Sequence, residues 1–525
     1  MKEVASLNEK NKVNPLKGNV TVSYKVLATS ALIWLLLPVV LFCASYLKIY
    51  IGIVLTLFFL GIAFLAIRTF DDRKLEIPVK FIIAFAFLAL AFSILSGVGE
   101  YIFSLQDHSY RRAILNDLIN YKWPVIYDMS TQTNPDVIPY TGNTGTYAFC
   151  YYFVYWMPAA LAGKLTGGSI AVANAVLLIW TAIGIFITLV AMSFYSGRAS
   201  LFPAFFYLLF GGLDIIPYIV HEITMYSDWL WLEGWVPHMS YICNFVNLGN
   251  VFHQAVPCYL VCAMLLICKR SNNLGLGCGI LFCYSPWAVI GILPVTIAKM
   301  FDKDNLDRGM KRILKDIFSP VNIASVAIFL FVFAPFYLSS SGAASEKGFT
   351  ASFYGSIGQF ILSYLALILM EVAPAALIVF SKRKKDIVYI VSVATLVLIP
   401  LFKITYQNDF AMRASMPGLF ILATMLAETC VKAVDKDKEN NAAGIRTSPK
   451  DMIKIAVATL LIIAMSFPGA FEIFVVTGSQ LTGDKGPEEV IGSFGNIRAP
   501  ELAGSIKEQF YVADYEDKFF FKYLA

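Results

Sequence analysis

The sequence predicts an all-α polytopic membrane protein, and three observations carry that reading. Hydrophobic residues make up 58% of the 525-residue chain and charged residues only 15%, where soluble domains hold about half apolar and a quarter charged residues. Apolar runs of 18 or more residues recur from Val26 to Val475, each long enough to cross about 30 Å of hydrocarbon as a helix. Lysine and arginine gather between alternate runs, at the N-terminus, Arg68 to Lys80, Arg198, Lys269 and Arg270, Lys299 to Lys315, Lys382 to Lys385, and Lys432 to Lys454. That bias marks cytoplasmic loops. The net charge of +5 then reports topology, and no nucleic-acid partner is expected.

Taken in order, run lengths and charged breaks predict spans at 26–47, 50–68, 79–98, 169–195, 199–217, 248–268, 320–338, 357–381, 387–403, 413–431 and 453–475. The first run follows Lys2, Lys10, Lys12, Lys17 and Lys25 and lacks a small-residue cleavage site after it, so it is read as a retained span. Segment 274–301 lies between two basic loops and must return to the side it left. Ser285-Pro286-Trp287 supplies a turn, which predicts two short helices. The total is about 13 transmembrane or re-entrant helices, N-terminus inside and C-terminus outside. Loops 98–168 and 217–248, a short stretch around Gln407 to Arg413, and a tail at 476–525 then face outward. Tyr147 to Leu165, aromatic and broken by Pro158, suits an interfacial or re-entrant helix. Nine cysteines show no CxxC or zinc-type spacing and read as small hydrophobes.

Polar chemistry collects on the outer side. QDHSYRRAILNDLINYKWPV, residues 106–125, sets Ile114, Leu115 and Leu118 at helical spacing, with Asp107, Arg111 and Arg112 read as standing apart from them, an amphipathic interfacial helix. Asp107 opens it. As a helix N-cap it would accept backbone N–H bonds; beside His108 and two arginines at a membrane surface it is also a candidate general base next to cations suited to phosphate. Arg111 and Arg112 alternatively bind headgroups or snorkel.

This pattern resembles the GT-C superfamily of membrane glycosyltransferases, in which an aspartate stands in the first large outer loop just beyond a span. The matching stretches are QDHSYRRAILNDLINYKWPV, YYFVYWMPAALAGKL at 151–165, FGGLDIIPY at 210–218, NVFHQAVPCYL at 250–260, NDFAMRASMPGLF at 408–420 and the terminal FFFKYLA. They run along nearly the whole chain; their order and outward topology, rather than any one motif, carry the likeness. The resemblance implies a GT-C-like bundle over 1–475 with a short extracytoplasmic tail at 476–525, in a bacterial plasma membrane. It implies a polyprenyl-phosphate-linked sugar donor, inversion at the anomeric carbon, and Asp107 as general base toward a glycan or lipid acceptor. No cofactor is required by that chemistry. A divalent metal stays open, with Asp107 and His108 the candidate ligands, because His108 stands where related enzymes often carry a second acid.

Arg111, Arg112 and Arg413 are assigned to the donor phosphate, and an Asp409–Arg413 pair at i,i+4 is the structural alternative. His221, Glu222, Trp235, His253 and Gln254 are assigned to acceptor or sugar, with the tryptophans of loop 217–248 equally read as an interface belt. Asp214 and Glu371 fall within or at the end of spans, where an ionisable group is costly enough to mark function. Two other functions compete. A transporter or flippase would line its spans with charge and interrupt its helices; a polysaccharide polymerase or ligase of another fold would use paired outer arginines without an aspartate base.

Overall fold

The computed structural model describes residues 18–103, 107–128, 146–224, 232–340, 346–405, 407–442, 448–483, 492–494 and 510–525. Among them, eight helices are long and apolar enough to cross a membrane: Tyr24–Tyr46, Ile49–Ile67, Ile170–Ser196, Asn244–Ile267, Met310–Ser339, Ile357–Arg383, Asp409–Asp437 and Asp451–Thr482. Three shorter apolar helices, Val79–Leu95, Pro286–Met300 and Ile387–Leu401, accompany them. The chain is an all-α polytopic membrane protein.

Burial sorts these helices into a centre and a rim. Asn244–Ile267 and Asp409–Asp437 each bury 89% of their apolar window, whereas Ile49–Ile67 buries 22% and Asp451–Thr482 28%. The two central helices are also the least apolar of the set, because polar side chains in a bilayer must find protein partners. The candidate functional site is built on them.

Helix interruptions follow local sequence. Leu274–Tyr284 and Pro286–Met300 meet at Ser285, whose hydroxyl caps Ala288 N at 3.3 Å, so the expected two-helix turn forms. The expected continuous span over 199–217 does not. It is split into Phe202–Leu209 and Ile215–Thr224, and at the break the Glu371 carboxyl fills the space that a Cβ at Gly212 would need. The freed backbone is satisfied across the break: Gly211 N donates to Met465 O, Leu213 N to Met370 O, and Asn244 N to Phe210 O, each at 3.0 Å. Glu371 itself sits on a π-helical turn, Ile368–Val372, the kind of insertion that re-aims one side chain of a helix. In Asn244–Ile267 the helix breaks at Val251, with φ −138° and ψ 43°.

Small sheets, absent from the all-α expectation, fasten the ends. Asn19–Ser23 pairs antiparallel with Lys74–Pro78, and Lys347–Phe349 with Phe402–Ile404. A three-stranded sheet joins Ile126–Asp128, Thr146–Phe149 and Tyr511–Val512. Their lengths, two to five residues, leave no period-2 signal to read. The third sheet ties residues near the C-terminus to the first long loop, and Phe494 and Phe510, 4.4 Å apart, stack there beside Phe149.

Candidate functional site

The helix His108–Asn120 is the first wall of the site. Its amphipathic reading needs one correction. Arg111 stands four and seven residues before Leu115 and Leu118, so it shares their buried face instead of standing apart; the side chain is 9% exposed. Residues near the C-terminus cover another face: Asp117 accepts hydrogen bonds from Phe494 N and Tyr127 Oη, both at 2.8 Å. Burial pushes the Asp117 carboxyl up to about 6.

Asp107 precedes this helix in αR geometry and makes no capping bond with its side chain. Its Oδ2 lies 3.3 Å from Arg111 Nη2, and the carboxylate is 42% exposed. Arg111 also donates from Nε to Asn250 O at 3.2 Å and from Nη1 to Tyr151 Oη at 3.0 Å. His108 lies behind, its Nε2 donating to Gly249 O at 2.7 Å. Burial pushes this imidazole down to about 4, against the pull of that carbonyl. Gly249 and Asn250 immediately precede the break at Val251, so the disrupted helix offers carbonyls sideways to His108 and Arg111.

The long helix Asp409–Ala442 is the second wall. It begins with the same D-x-x-x-R spacing: Arg413 Nη2 is 3.9 Å from Asp409 Oδ1, beyond hydrogen-bond reach, and Nη1 donates to Asn247 Oδ1 at 3.2 Å. Exposures repeat too, 12% for Arg413 and 42% for Asp409. Arg111 reaches Asn250 and Arg413 reaches Asn247, three residues apart on Asn244–Ile267, so the two D-x-x-x-R turns meet one stretch of that helix. His253 is fully buried against the Trp156 ring at 4.6 Å, and its Nδ1 has no partner among the described residues. Gln254, beside it, accepts from Ser285 Oγ at 2.7 Å. The approach to Asp409 is strained: His238, Thr405 and Asn408 have φ of 62°, 75° and 61°, a left-handed conformation that is an outlier for β-branched Thr405. Asn408 Nδ2 donates to His238 O at 2.9 Å, and Lys403 Nζ to His238 Nδ1 at 2.9 Å. Burial and then the Lys403 charge hold the His238 imidazole below its usual value.

Asp107, Arg111, Arg413 and His253 are thus brought together, with His108 and Gln254 behind them. Arg112 is not: its guanidinium pairs with Glu100. Trp235 is elsewhere, its Nε1 donating to Asp214 Oδ1 at 2.7 Å. The side chains of His221 and Glu222 lie outside the described residues. Sequence reasoning weighed Asp409 only as a salt-bridge partner and missed Asn247, Asn250 and Tyr151. The repeated D-x-x-x-R at the starts of two helices was the available signal.

Trp235 points to a second constellation. Asp214, Glu233, Glu371 and Glu472 are all buried, and the strongest charged neighbours of Glu233 and Glu371 are other acids. Asp214 Oδ2 and Glu233 Oε2 have no hydrogen-bond partner among the described residues. Burial, and then the Asp214 charge, hold the Glu233 carboxyl well above the usual range.

Comparison with known proteins gives no match to a family model, to a curated protein or to a solved structure. Among the described residues no three His, Cys, Asp or Glu side chains are arranged to hold a metal ion.

Proposed function

We propose that the chain is a GT-C-type inverting glycosyltransferase that moves a sugar from a polyprenyl phosphate to a glycan or lipid acceptor of the cell envelope. The observation that carries this reading is the pairing of two D-x-x-x-R turns, with two nearly buried arginines behind two half-exposed carboxylates. Guanidinium groups bind phosphate oxygens through paired N–H donors, and Arg413 has Nη2 free of Asp409 for that purpose. In the reaction Asp107 accepts the acceptor hydroxyl's proton and the acceptor oxygen bonds to the anomeric carbon. The bond from that carbon to the phosphate oxygen breaks, and its electron pair stays on the phosphate beside Arg111 and Arg413. A positioned base and fixed cations are the two contributions such a displacement needs.

In this reading the membrane is a bacterial plasma membrane, crossed with the N-terminus cytoplasmic and the Asp107 end extracytoplasmic. The same reading counts the eight long helices and five shorter ones, Val79–Leu95, Phe202–Leu209, Leu274–Tyr284, Pro286–Met300 and Ile387–Leu401, as its about 13 transmembrane or re-entrant helices. The donor assignment is tested by binding of sugar-free polyprenyl phosphate to purified protein. Arg111→Ala with Arg413→Ala should weaken it by about 10²-fold, the scale for losing buried charge-assisted contacts, and Arg112→Ala should leave it unchanged. Wild-type affinity in the double variant would remove the assignment.

One observation favours a second reading. A buried carboxyl cluster beside a broken helix and a π-turn is what a proton-coupled transporter or flippase would carry. Under that reading Glu371→Gln abolishes substrate movement across a sealed vesicle, whereas the glycosyltransferase reading leaves transfer by the same variant intact.

A further inference from the structure

At the opposite end of Asn244–Ile267 from Asn247, roughly 30 Å away at 1.5 Å per residue, two cavities lie side by side. The first is polar, about 470 Å³, and lined by Asp71, Arg73, Lys269, Arg270, Asp304, Asp307 and Arg308, a size usual for small-molecule sites. Arg73 is committed, donating to Asp71 Oδ1 at 2.7 Å and Ile267 O at 2.9 Å, and Arg308 pairs with Asp316 at 3.0 Å. Lys269, Arg270, Asp304 and Asp307 have no side-chain hydrogen bond or close ion pair among the described residues. Two uncommitted cations thus share one mouth with two uncommitted carboxylates.

The second cavity is apolar, lined among others by Leu32, Val261, Leu276 and Gly277. It starts where the polar one ends. Tyr24 and Cys268 line it, Arg73 lies 4.6 Å over the Tyr24 ring, and Lys269 follows Cys268 in the chain. A Cβ at Gly277 would meet only Val261 Cγ1, at 3.5 Å.

We propose that this end binds a phospholipid whose headgroup carries a phosphate and a primary ammonium, with one acyl chain entering the apolar cavity. Lys269 and Arg270 take the phosphate, and Asp304 and Asp307 take the ammonium. A mouth of mixed sign is complementary to a zwitterion, where a purely cationic one would select anionic lipids. Hydrogen bonds from the N–H groups to the two carboxylates distinguish a primary ammonium from a quaternary one, which has none to give. The site stands apart from the Asp107 cluster and does not depend on its function.

Native mass spectrometry of delipidated full-length protein titrated with phosphatidylethanolamine, phosphatidylcholine and phosphatidylglycerol tests this. Phosphatidylethanolamine should bind at about tenfold lower concentration than the other two, the worth of one charge-assisted hydrogen bond. Asp304→Asn with Asp307→Asn should erase that preference, and Lys269→Gln with Arg270→Gln should weaken all three lipids. Gly277→Leu, which fills the apolar cavity and improves helix propensity, should weaken the two-chain lipid but not chain-free glycerophosphoethanolamine. Equal binding of the three lipids by the wild-type protein overturns the proposal, and this comparison stands even where a double variant fails to fold. Unchanged binding in folded double variants overturns it equally.

Discussion

Two groups of ionisable side chains face different ends of the same problem. Around Asp107 each carboxylate has its own arginine four residues on, the arginines are nearly buried, and the carboxylates reach the surface. Around Glu371 four carboxyls are buried together, and Asp214 accepts from a tryptophan N–H and shares a hydrogen bond with Glu371. In the first group the carboxylates have cations behind them and a half-open face in front. In the second, the charged neighbours of Glu233 are other acids, and burial holds its carboxyl well above the usual range. The first group is suited to holding an anion and moving a proton at a working surface; the second is suited to keeping protons and joining segments.

The comparison can be broken in several ways. The largest effect concerns His108, whose imidazole lies at about 4 instead of 6.5 because it is buried behind Arg111. As pH falls from about 6.5 towards 4 the unfolded chain gains a proton that the folded one refuses, so stability present above 6.5 is lost, by about 3 kcal/mol in full. His108→Gln keeps a donor for Gly249 O and should lose this slope. Unfolding titrations of both proteins from pH 7 to 4.5 check it, and parallel curves would show that His108 does not stay neutral.

Next comes Gly212→Ala, whose new Cβ would collide with the Glu371 carboxyl. Destabilisation of about 1–3 kcal/mol is expected, as for an overpacked core, and Glu371→Ala in the same chain should relieve most of it. Additive losses in that double-mutant cycle would mean the two residues do not compete for space. The smallest effect is Glu371→Gln, which mimics the neutral acid: stability at pH 8 should change by less than about 1 kcal/mol. A loss of several kcal/mol would show that Glu371 is ionised and paired.

The sequence made the membrane class legible because apolar run length is a direct consequence of bilayer thickness. Asp107, Arg111 and Arg413 were legible as residues, since helical spacing and position beside a span are local properties. Their convergence was not, because nothing local shows that residues 107–111 and 409–413 face the same stretch of Asn244–Ile267. Choosing between Arg111 and Arg112 was within reach: only Arg111 has the four- and seven-residue spacing to Leu115 and Leu118. The break at Gly211-Gly212 was hidden in a run apolar enough to pass for a span, and Glu371, which packs against it, lies on a distant segment.

The most direct test is transfer from a panel of polyprenyl-phosphate sugars in native membranes, comparing Asp107→Asn with Glu371→Gln in one assay. Asn keeps the size of Asp107 and its hydrogen-bonding shape toward Arg111, and no capping bond is lost, since the aspartate side chain makes none. Asp107→Asn is expected to fold normally and to transfer about 10²–10⁴-fold more slowly, the worth of a positioned general base, while Glu371→Gln, distant from the reacting groups, stays within about twofold of wild type. Transfer by folded Asp107→Asn at the wild-type rate would contradict it.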